Sequence, residues 1–390
     1  MIPYGRQEVS QDDVEAVVDV LRSDFLTQGP TIGCFEQAVA ARAGAAHAVA
    51  VNSATSALHV ACLALDVGPG DRVWTVPNTF VASANCARYC GADVDFVDID
   101  ACTWNMSVAA LERKLEDAQR SGTLPAVVVA VHFSGQPTEQ EAIGALGRRY
   151  GFRIIEDASH AIGASRGGEP VGSCRWSDVV VFSFHPVKIV TTAEGGVAVT
   201  NDARLAARMA MLRNHGITRD PAMFQAPALR EEPGGAPAWH YEQQTLGFNY
   251  RMTDIHAALG LSQLRRLDDF IERRNRQARR YTEALADLPL QLPTLDPLNR
   301  SAFHLYVVRV LPGAARTRRQ VFDALRARGV GVNVHYMPVH LQPYYRALGF
   351  GPGWCPEAEW HGQSAITLPL YPSLTDAEQD RIIEAVREAA

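Results

Sequence analysis

Of the 37 basic residues in this chain of 390, only two are lysines, Lys114 and Lys188; every other one is an arginine. Arginine keeps its proton in any protein setting, whereas a lysine amine can be made neutral and nucleophilic. Each lysine therefore needs its own explanation. Lys114 lies in SVAALERKLEDAQRSG, an amphipathic helical period with Glu112 and Glu116 nearby, and reads as a solvated surface residue. Lys188 follows the apolar run VVVFSF within FSFHPVKIVTTAEGG. A buried, unpaired ammonium there is costly, so its pKa falls and the amine becomes a nucleophile. The other reading is a lysine paired with a carboxylate such as Glu194, and composition alone leaves both open.

A second residue bears on that choice. Asp157 ends the apolar stretch RIIED, at the strand edge where α/β sheets bind ligands. It either does chemistry there or caps the next turn. A strand-end acid followed 31 residues later by a loop-borne lysine is what pyridoxal phosphate requires. The lysine forms a Schiff base, and the acid keeps the pyridine nitrogen protonated. The cofactor's phosphate needs donors, and VNSATSALHVACLAL offers them where Ser53, Ala54 and Thr55 open a helix after an apolar strand. Taken alone, NSATS is only a good N-cap. Ser183 adds a hydroxyl. Phe80, at another strand-end loop, either stacks on the cofactor ring or is a plain core aromatic.

Other chemistries lose support by absence. The sequence has no GxGxxG, no GxxxxGK[ST] and no HExxH, which removes the main footing for dinucleotide, P-loop and zincin readings. EGG at 194–196 reads as a turn. The seven cysteines are scattered with no CxxC pair; Cys86 and Cys90 read as small buried residues, so neither zinc nor disulfides are expected and no metal enters the reading.

The elements that must hold these residues follow from periodicity. Ser10 caps a helix with apolar positions Val14, Val17, Val18 and Leu21. Strands are expected at 48–51, 72–76, 94–99, 126–133, 153–157, 178–184 and 196–200. Helices are expected near 55–65, 79–90, 107–119 and 138–150 between them. That alternation implies a mainly parallel sheet covered on both faces. The stretch from Pro221 to Pro237, with four prolines and a Gly-Gly pair, reads as a loop. A long helical period over 253–286 follows, then a strand at 304–310, a helix at 317–329 and a last helix from Asp376. The expected organisation is a large α/β domain over 1–252 and a smaller α+β domain over 253–390.

The composition, 47% hydrophobic and 21% charged, is that of a globular chain, and the net charge of −6 gives no footprint for nucleic acid. No run reaches membrane-span length, and MIPYGRQEVSQDD lacks a basic start and apolar signal core, which points to the cytoplasm.

The segments NSATSALH, EDASHAIGA, FSFHPVKIVTTAEGG and LGFNYRMTDIHAALGLSQL resemble those of the nucleotide-sugar aminotransferases of the DegT/DnrJ/EryC1/StrS family. The likeness runs from about Tyr4 to the C-terminal helix, in family order and spacing. It implies a pyridoxal-phosphate enzyme of fold type I, aspartate aminotransferase-like, working as a homodimer with active sites at the subunit interface. By resemblance Lys188 is the Schiff-base lysine, Asp157 the partner of the pyridine nitrogen and His160 the residue packed beside the ring. Ser53, Ala54, Thr55 and Ser183 match phosphate contacts, and Phe80 the stacking aromatic. Asn249 matches an asparagine that reaches the neighbouring subunit's cofactor phosphate. Relatives that are dehydratases carry His in place of the lysine, and Lys188 argues against that branch.

Within the family, DFLTQGP, FHPVK, HLY (304–306) and VHYMP look most like the transaminases of pseudaminic acid synthesis. That subgroup uses L-glutamate to aminate UDP-2-acetamido-2,6-dideoxy-β-L-arabino-hex-4-ulose. Its substrate contacts map to Tyr4, Leu26, Thr27, His335 and Tyr336. The loop PAMFQAPALREEPGGAPAWHYEQQ departs from the pattern and bears on the sugar end of the site. The rival readings are a 4-amino-sugar synthase on another nucleotide, such as a GDP-perosamine synthase, a pyridoxal-phosphate lyase or decarboxylase, and a binding protein that kept the fold without turnover.

Overall fold

The computed structural model describes residues 1–225 and 237–390. The segment 226–236, inside the stretch read as a loop, lies outside the described residues. Seven strands form the central sheet: β1 (His47–Val51), β2 (Arg72–Thr75), β3 (Asp93–Phe96), β4 (Val127–Val131), β5 (Arg153–Asp157), β6 (Val179–Ser183) and β7 (Gly196–Thr200). Their spatial order is β1-β7-β6-β5-β4-β2-β3. The five strands from β6 to β3 are mutually parallel, and β7 runs antiparallel to both β6 and β1. The mainly parallel sheet expected from the alternation is present. Each residue of β4 and β6 is buried, as a sheet covered by helices on both faces requires.

Register aligns the strand ends that carry chemistry. Gly196 opens β7 opposite Val51 at the end of β1 and opposite Ser183 at the end of β6. Two strands further on, Asp157 ends β5 opposite Val131, the last residue of β4. The carboxyl edges of four parallel strands thus form one rim.

Three expectations need correction. The strand read over 94–99 ends at Phe96. Beyond it, Asp98 leaves the ladder and its carboxylate accepts from the backbone N–H groups of Glu357 (2.9 Å) and Ala358 (2.9 Å), capping the helix Pro356–Ser364. The helical period over 253–286 is two helices, Asp254–Leu264 and Leu267–Ala284. The break is a tight turn in which Arg266 N–H bonds Gln263 O at 3.0 Å. It is held because Gln263 (2.6 Å) and Arg266 (2.5 Å) both reach the fully buried Asp13 carboxylate. Lys114 is not a solvated lysine either. It ion-pairs with Asp95 at 2.7 Å, donates to Phe96 O at 2.6 Å and lies 5.0 Å from the Trp74 ring centroid, so its stem covers the sheet edge.

A second core gathers Ile2, Tyr281, Tyr306, Val308, Val330, Ile366, Ile382 and Val386. It surrounds the antiparallel strands Leu290–Gln291, Tyr306–Val310 and Ala365–Leu368, with the helices Arg318–Ala327 and Asp376–Ala389 packed nearby. The N-terminal residues join it: Ile2 bridges to Val330, and Tyr4 O accepts from Leu370 N–H at 3.1 Å. Among the described residues no helix is long and apolar enough to cross a membrane.

Candidate active site

A cavity of about 460 Å³ opens on the strand-end rim. Eleven of the fourteen site residues picked from the sequence line it. They are Lys188, Asp157, His160, Ser53, Ala54, Thr55, Ser183, Phe80, Tyr4, His335 and Tyr336. Leu26, Thr27 and Asn249 do not.

Lys188 stands in the loop after β6, where its own N–H bonds His185 O at 2.9 Å. It has no ion pair among the described residues; Glu194 sits exposed on the cavity rim instead of neutralising it. The paired-lysine alternative therefore fails. Burial lowers the amine to about 8, with the Asp157 carboxylate pulling the other way.

Asp157 is buried (5% exposed) and likewise has no cationic partner among the described residues. One carboxylate oxygen accepts from Ser83 Oγ at 2.6 Å and the other from Ser159 N–H at 3.1 Å. The Ser159 contact is the turn cap foreseen as the alternative, so both readings describe the same residue. An acid fixed by neutral donors is oriented and still short of a positive charge. The site thus fits a protonated pyridine nitrogen in a way that a saturated salt bridge would not.

The phosphate end is equally suited. Ser53 caps the helix Ala54–Ala64, its hydroxyl accepting from Ser56 N–H at 3.1 Å. Ala54 and Thr55 open the helix, where backbone N–H groups have no intrahelical acceptor, and both line the cavity. Gly196 permits this placement: a Cβ there would lie 2.4 Å from Ala54 N. Phe80 is 59% exposed, which excludes the core reading and leaves its ring facing the open site.

The third wall is made of imidazoles and aromatic rings. The His160 and His304 rings lie 4.5 Å apart, and Tyr4 packs 5.6 Å from His335. Burial, with the Lys188 charge adding to it, holds His160 and His304 far below the usual imidazole range and His335 at about 3. The wall is a layer of neutral imidazoles.

Sequence reasoning missed Ser83, Ser159 and His304. Ser159 was legible as the second residue past a strand-end acid, an Asx-turn position. Ser83 had no local signal, because only the placement of the helix Ala82–Tyr89 brings it to Asp157. Thr79, whose hydroxyl meets Ser83 Oγ at 2.7 Å, continues that support.

The three residues outside the cavity are exposed. Thr27 bridges to Thr253 and Asn249 to Asn214, and Leu26 (47% exposed), Thr27 and Asn249 all face solvent. Val14 (45%) and Leu21 (54%), expected on the buried face of the first helix, are uncovered too.

Comparison with known proteins adds a lineage to this geometry. The model of the DegT/DnrJ/EryC1/StrS aminotransferase family matches residues 7–387. The spore coat polysaccharide biosynthesis protein SpsC of Bacillus subtilis (strain 168) is 38% identical over 391 aligned residues, covering 99% of this chain and 96% of that protein. Among solved structures, Helicobacter pylori PseC, an aminotransferase involved in the biosynthesis of pseudoaminic acid, superposes with a TM-score of 0.89 at 29% identity, over 100% of this chain and 98% of its own. Spr1654 from Streptococcus pneumoniae, solved in PLP and PMP forms, gives TM-scores of 0.87 and 0.88 at 29% identity, covering 100% of this chain and 99% of that one. The expected fold type I architecture is the one these structures share with this chain.

Proposed function

The chain belongs to the DegT/DnrJ/EryC1/StrS aminotransferase family, and from that premise we propose that it moves an amino group from L-glutamate to C4 of UDP-2-acetamido-2,6-dideoxy-β-L-arabino-hex-4-ulose, giving UDP-4-amino-4,6-dideoxy-N-acetyl-β-L-altrosamine. It is a pyridoxal-phosphate-dependent sugar aminotransferase. The observation that carries the site assignment is a lysine and an acid facing one cavity, neither with a counterion among the described residues. When bound, the cofactor supplies an aldehyde for covalent attachment and a protonated ring that takes up electron density.

The chain's own groups divide the remaining work. Lys188 would hold the cofactor covalently, and its amine would move the proton at the reacting carbon. Asp157, oriented by Ser83 and Ser159, holds the ring nitrogen's proton. The N–H groups of Ala54 and Thr55, with the hydroxyls of Ser53, Thr55 and Ser183, take the phosphate. Phe80 and His160 bracket the ring. Tyr4, His335 and Tyr336 face the sugar. Leu26, Thr27 and Asn249, which do not line their own chain's cavity, serve the site of a second copy in a homodimer. The uncovered Val14, Leu21, Phe25 and Leu26 on the N-terminal stretch support that assembly.

The sugar assignment rests on likeness to PseC and on the residues shared with that subgroup, and an assay decides it. The purified protein with pyridoxal phosphate and glutamate is offered UDP- and GDP-linked 4-keto-6-deoxy sugars, and the products are read by mass spectrometry. The UDP-acetamido ketosugar is expected to give the highest kcat/KM, because a site shaped around the acetamido group leaves polar groups unpaired without it. Better turnover of a GDP-ketosugar lacking that group overturns the substrate and leaves the reaction class.

A pH series tests Lys188 directly. Only the neutral amine captures the cofactor aldehyde, and burial lowers the amine to about 8. Capture of pyridoxal phosphate by the apoprotein should therefore rise with pH, bend near 8 and flatten above it. A rate that keeps climbing toward the ordinary lysine value of about 10.4 would show an amine that burial has not primed.

A further inference from the structure

The cavity wall contains a chain of hydrogen bonds whose direction is fixed by the backbone. It starts in the turn Phe133–Gly135, where Ser134 has φ 62° and ψ −1°, a left-handed conformation uncommon for a residue with a side chain. The turn is locked from two sides. Ser134 Oγ donates to Leu305 O at 2.6 Å, and a Cβ at Gly135 would lie 2.8 Å from both His160 O and Phe303 N. So held, the Ser134 backbone N–H points at His160 Nδ1, 3.2 Å away.

A backbone N–H can only donate. Nδ1 must therefore be the bare nitrogen, and the neutral ring carries its proton on Nε2. Nε2 lies 3.2 Å from Tyr336 Oη, so the imidazole donates and the phenol accepts. The phenol's own hydrogen is then unspent. Asp157, which lines the same cavity, is bound by Ser83 and Ser159, and among the described residues no hydrogen bond joins it to Tyr336. Burial and the Asp157 charge also push the phenol's pKa far up, so it keeps its hydrogen.

Building on the aminotransferase reading above, we propose that Ser134, through His160, positions Tyr336 as a donor to the C4 ketone oxygen of the sugar, so that the site prefers the keto substrate over the amino product. A ketone oxygen only accepts. The C4 ammonium of the product only donates, and the phenol oxygen already accepts from His160 Nε2, so what it presents to the sugar is its hydrogen. The same contact that holds the substrate is lost when the amine is formed, which favours product release. Ser134 and His160 are positioning residues in this scheme; Tyr336 alone touches the sugar.

The test compares Tyr336→Phe with the native enzyme, both loaded with pyridoxal phosphate. The glutamate half-reaction, followed by the change in cofactor absorbance, is measured in the native enzyme to report whether the aminotransferase reading holds, and in the variant as the reference against which the two sugars are compared. Affinity for the UDP-acetamido ketosugar should fall about 5- to 10-fold, the value of one ordinary hydrogen bond. Inhibition by the matching 4-amino sugar should stay the same or strengthen. Equal weakening of both sugars overturns the proposal, as does a change in cofactor absorption with no change in ketosugar affinity, which would place the phenol's hydrogen on the cofactor. A second measurement needs no variant in the functional assay. In ¹⁵N-histidine-labelled holoenzyme, the His160 signals, identified by their loss in His160→Gln, should show a bare Nδ1 and a protonated Nε2. The opposite tautomer refutes the scheme.

Discussion

Lys188→Ala abolishes transamination. The expected loss is at least about 10³-fold in kcat/KM, since one substitution removes both the nucleophile and the group that moves the proton. Borohydride should fix the cofactor covalently to the native protein at Lys188 and leave the variant unlabelled. The variant should remain folded. The native amine, lowered to about 8, binds fewer protons than the same lysine in the unfolded chain. Stability of the apoprotein therefore rises with pH between the folded value and the ordinary value near 10.4, and the burial cost is fully present below the folded one. Removing the amine at pH 7 relieves that cost, so apo Lys188→Ala should melt no lower than the native apoprotein. A stable, fully active variant would remove Lys188 from the chemistry; an inactive variant that melts far below the native protein would make its loss of activity uninformative about Lys188.

Asp157→Asn should come next, with kcat lower by about 10²- to 10⁴-fold and the fold intact. The substitution keeps the shape and can keep both local contacts. Asn Oδ1 still accepts from Ser159 N–H, and Ser83 Oγ can turn to accept from the new amide while donating to Thr79, 2.7 Å away. What it removes is the negative charge that stabilises a protonated ring nitrogen. The measurement that separates this from loss of binding is the pyridoxal phosphate dissociation constant beside single-turnover rates with glutamate. Binding should weaken modestly while the rate collapses. A near-native rate would mean that Asp157 acts only through its turn with Ser159.

The two variants also report on each other. If each lone charge is there for the cofactor, the double variant should be little worse than Lys188→Ala, because residues that act as one unit are not additive. Independent roles would instead multiply the losses.

The sequence by itself singled out the proposed catalytic pair and the rim that carries it. Two lysines in a chain rich in arginine singled out Lys188, and the runs RIIED and VVVFSF placed Asp157 and Ser183 at strand ends, because apolar residues without alternation mark strands buried on both faces. The N-cap at Ser53 was legible for a similar reason: a cap satisfies its helix within a few residues of chain. Resemblance then added His160, Tyr336 and the three residues outside the cavity.

Tertiary structure decided what local chemistry does not encode. Whether Lys188 is paired depended on where Glu194 falls relative to the cavity. Ser83 supports Asp157 across 74 residues of chain, and no periodicity in its helix announces that contact. The break after Leu264 is held by Asp13, a buried acid some 250 residues earlier that accepts from Gln263 on one side of the turn and Arg266 on the other. Lys114 reads as a surface residue until Trp74, Asp95 and Phe96 O are beside it. The direction of the His160–Tyr336 hydrogen bond depends on a single backbone N–H in a left-handed turn. Side-chain type and spacing report the periodicity of an element and what it buries. They do not report the register between elements, and register is what aims one group at another.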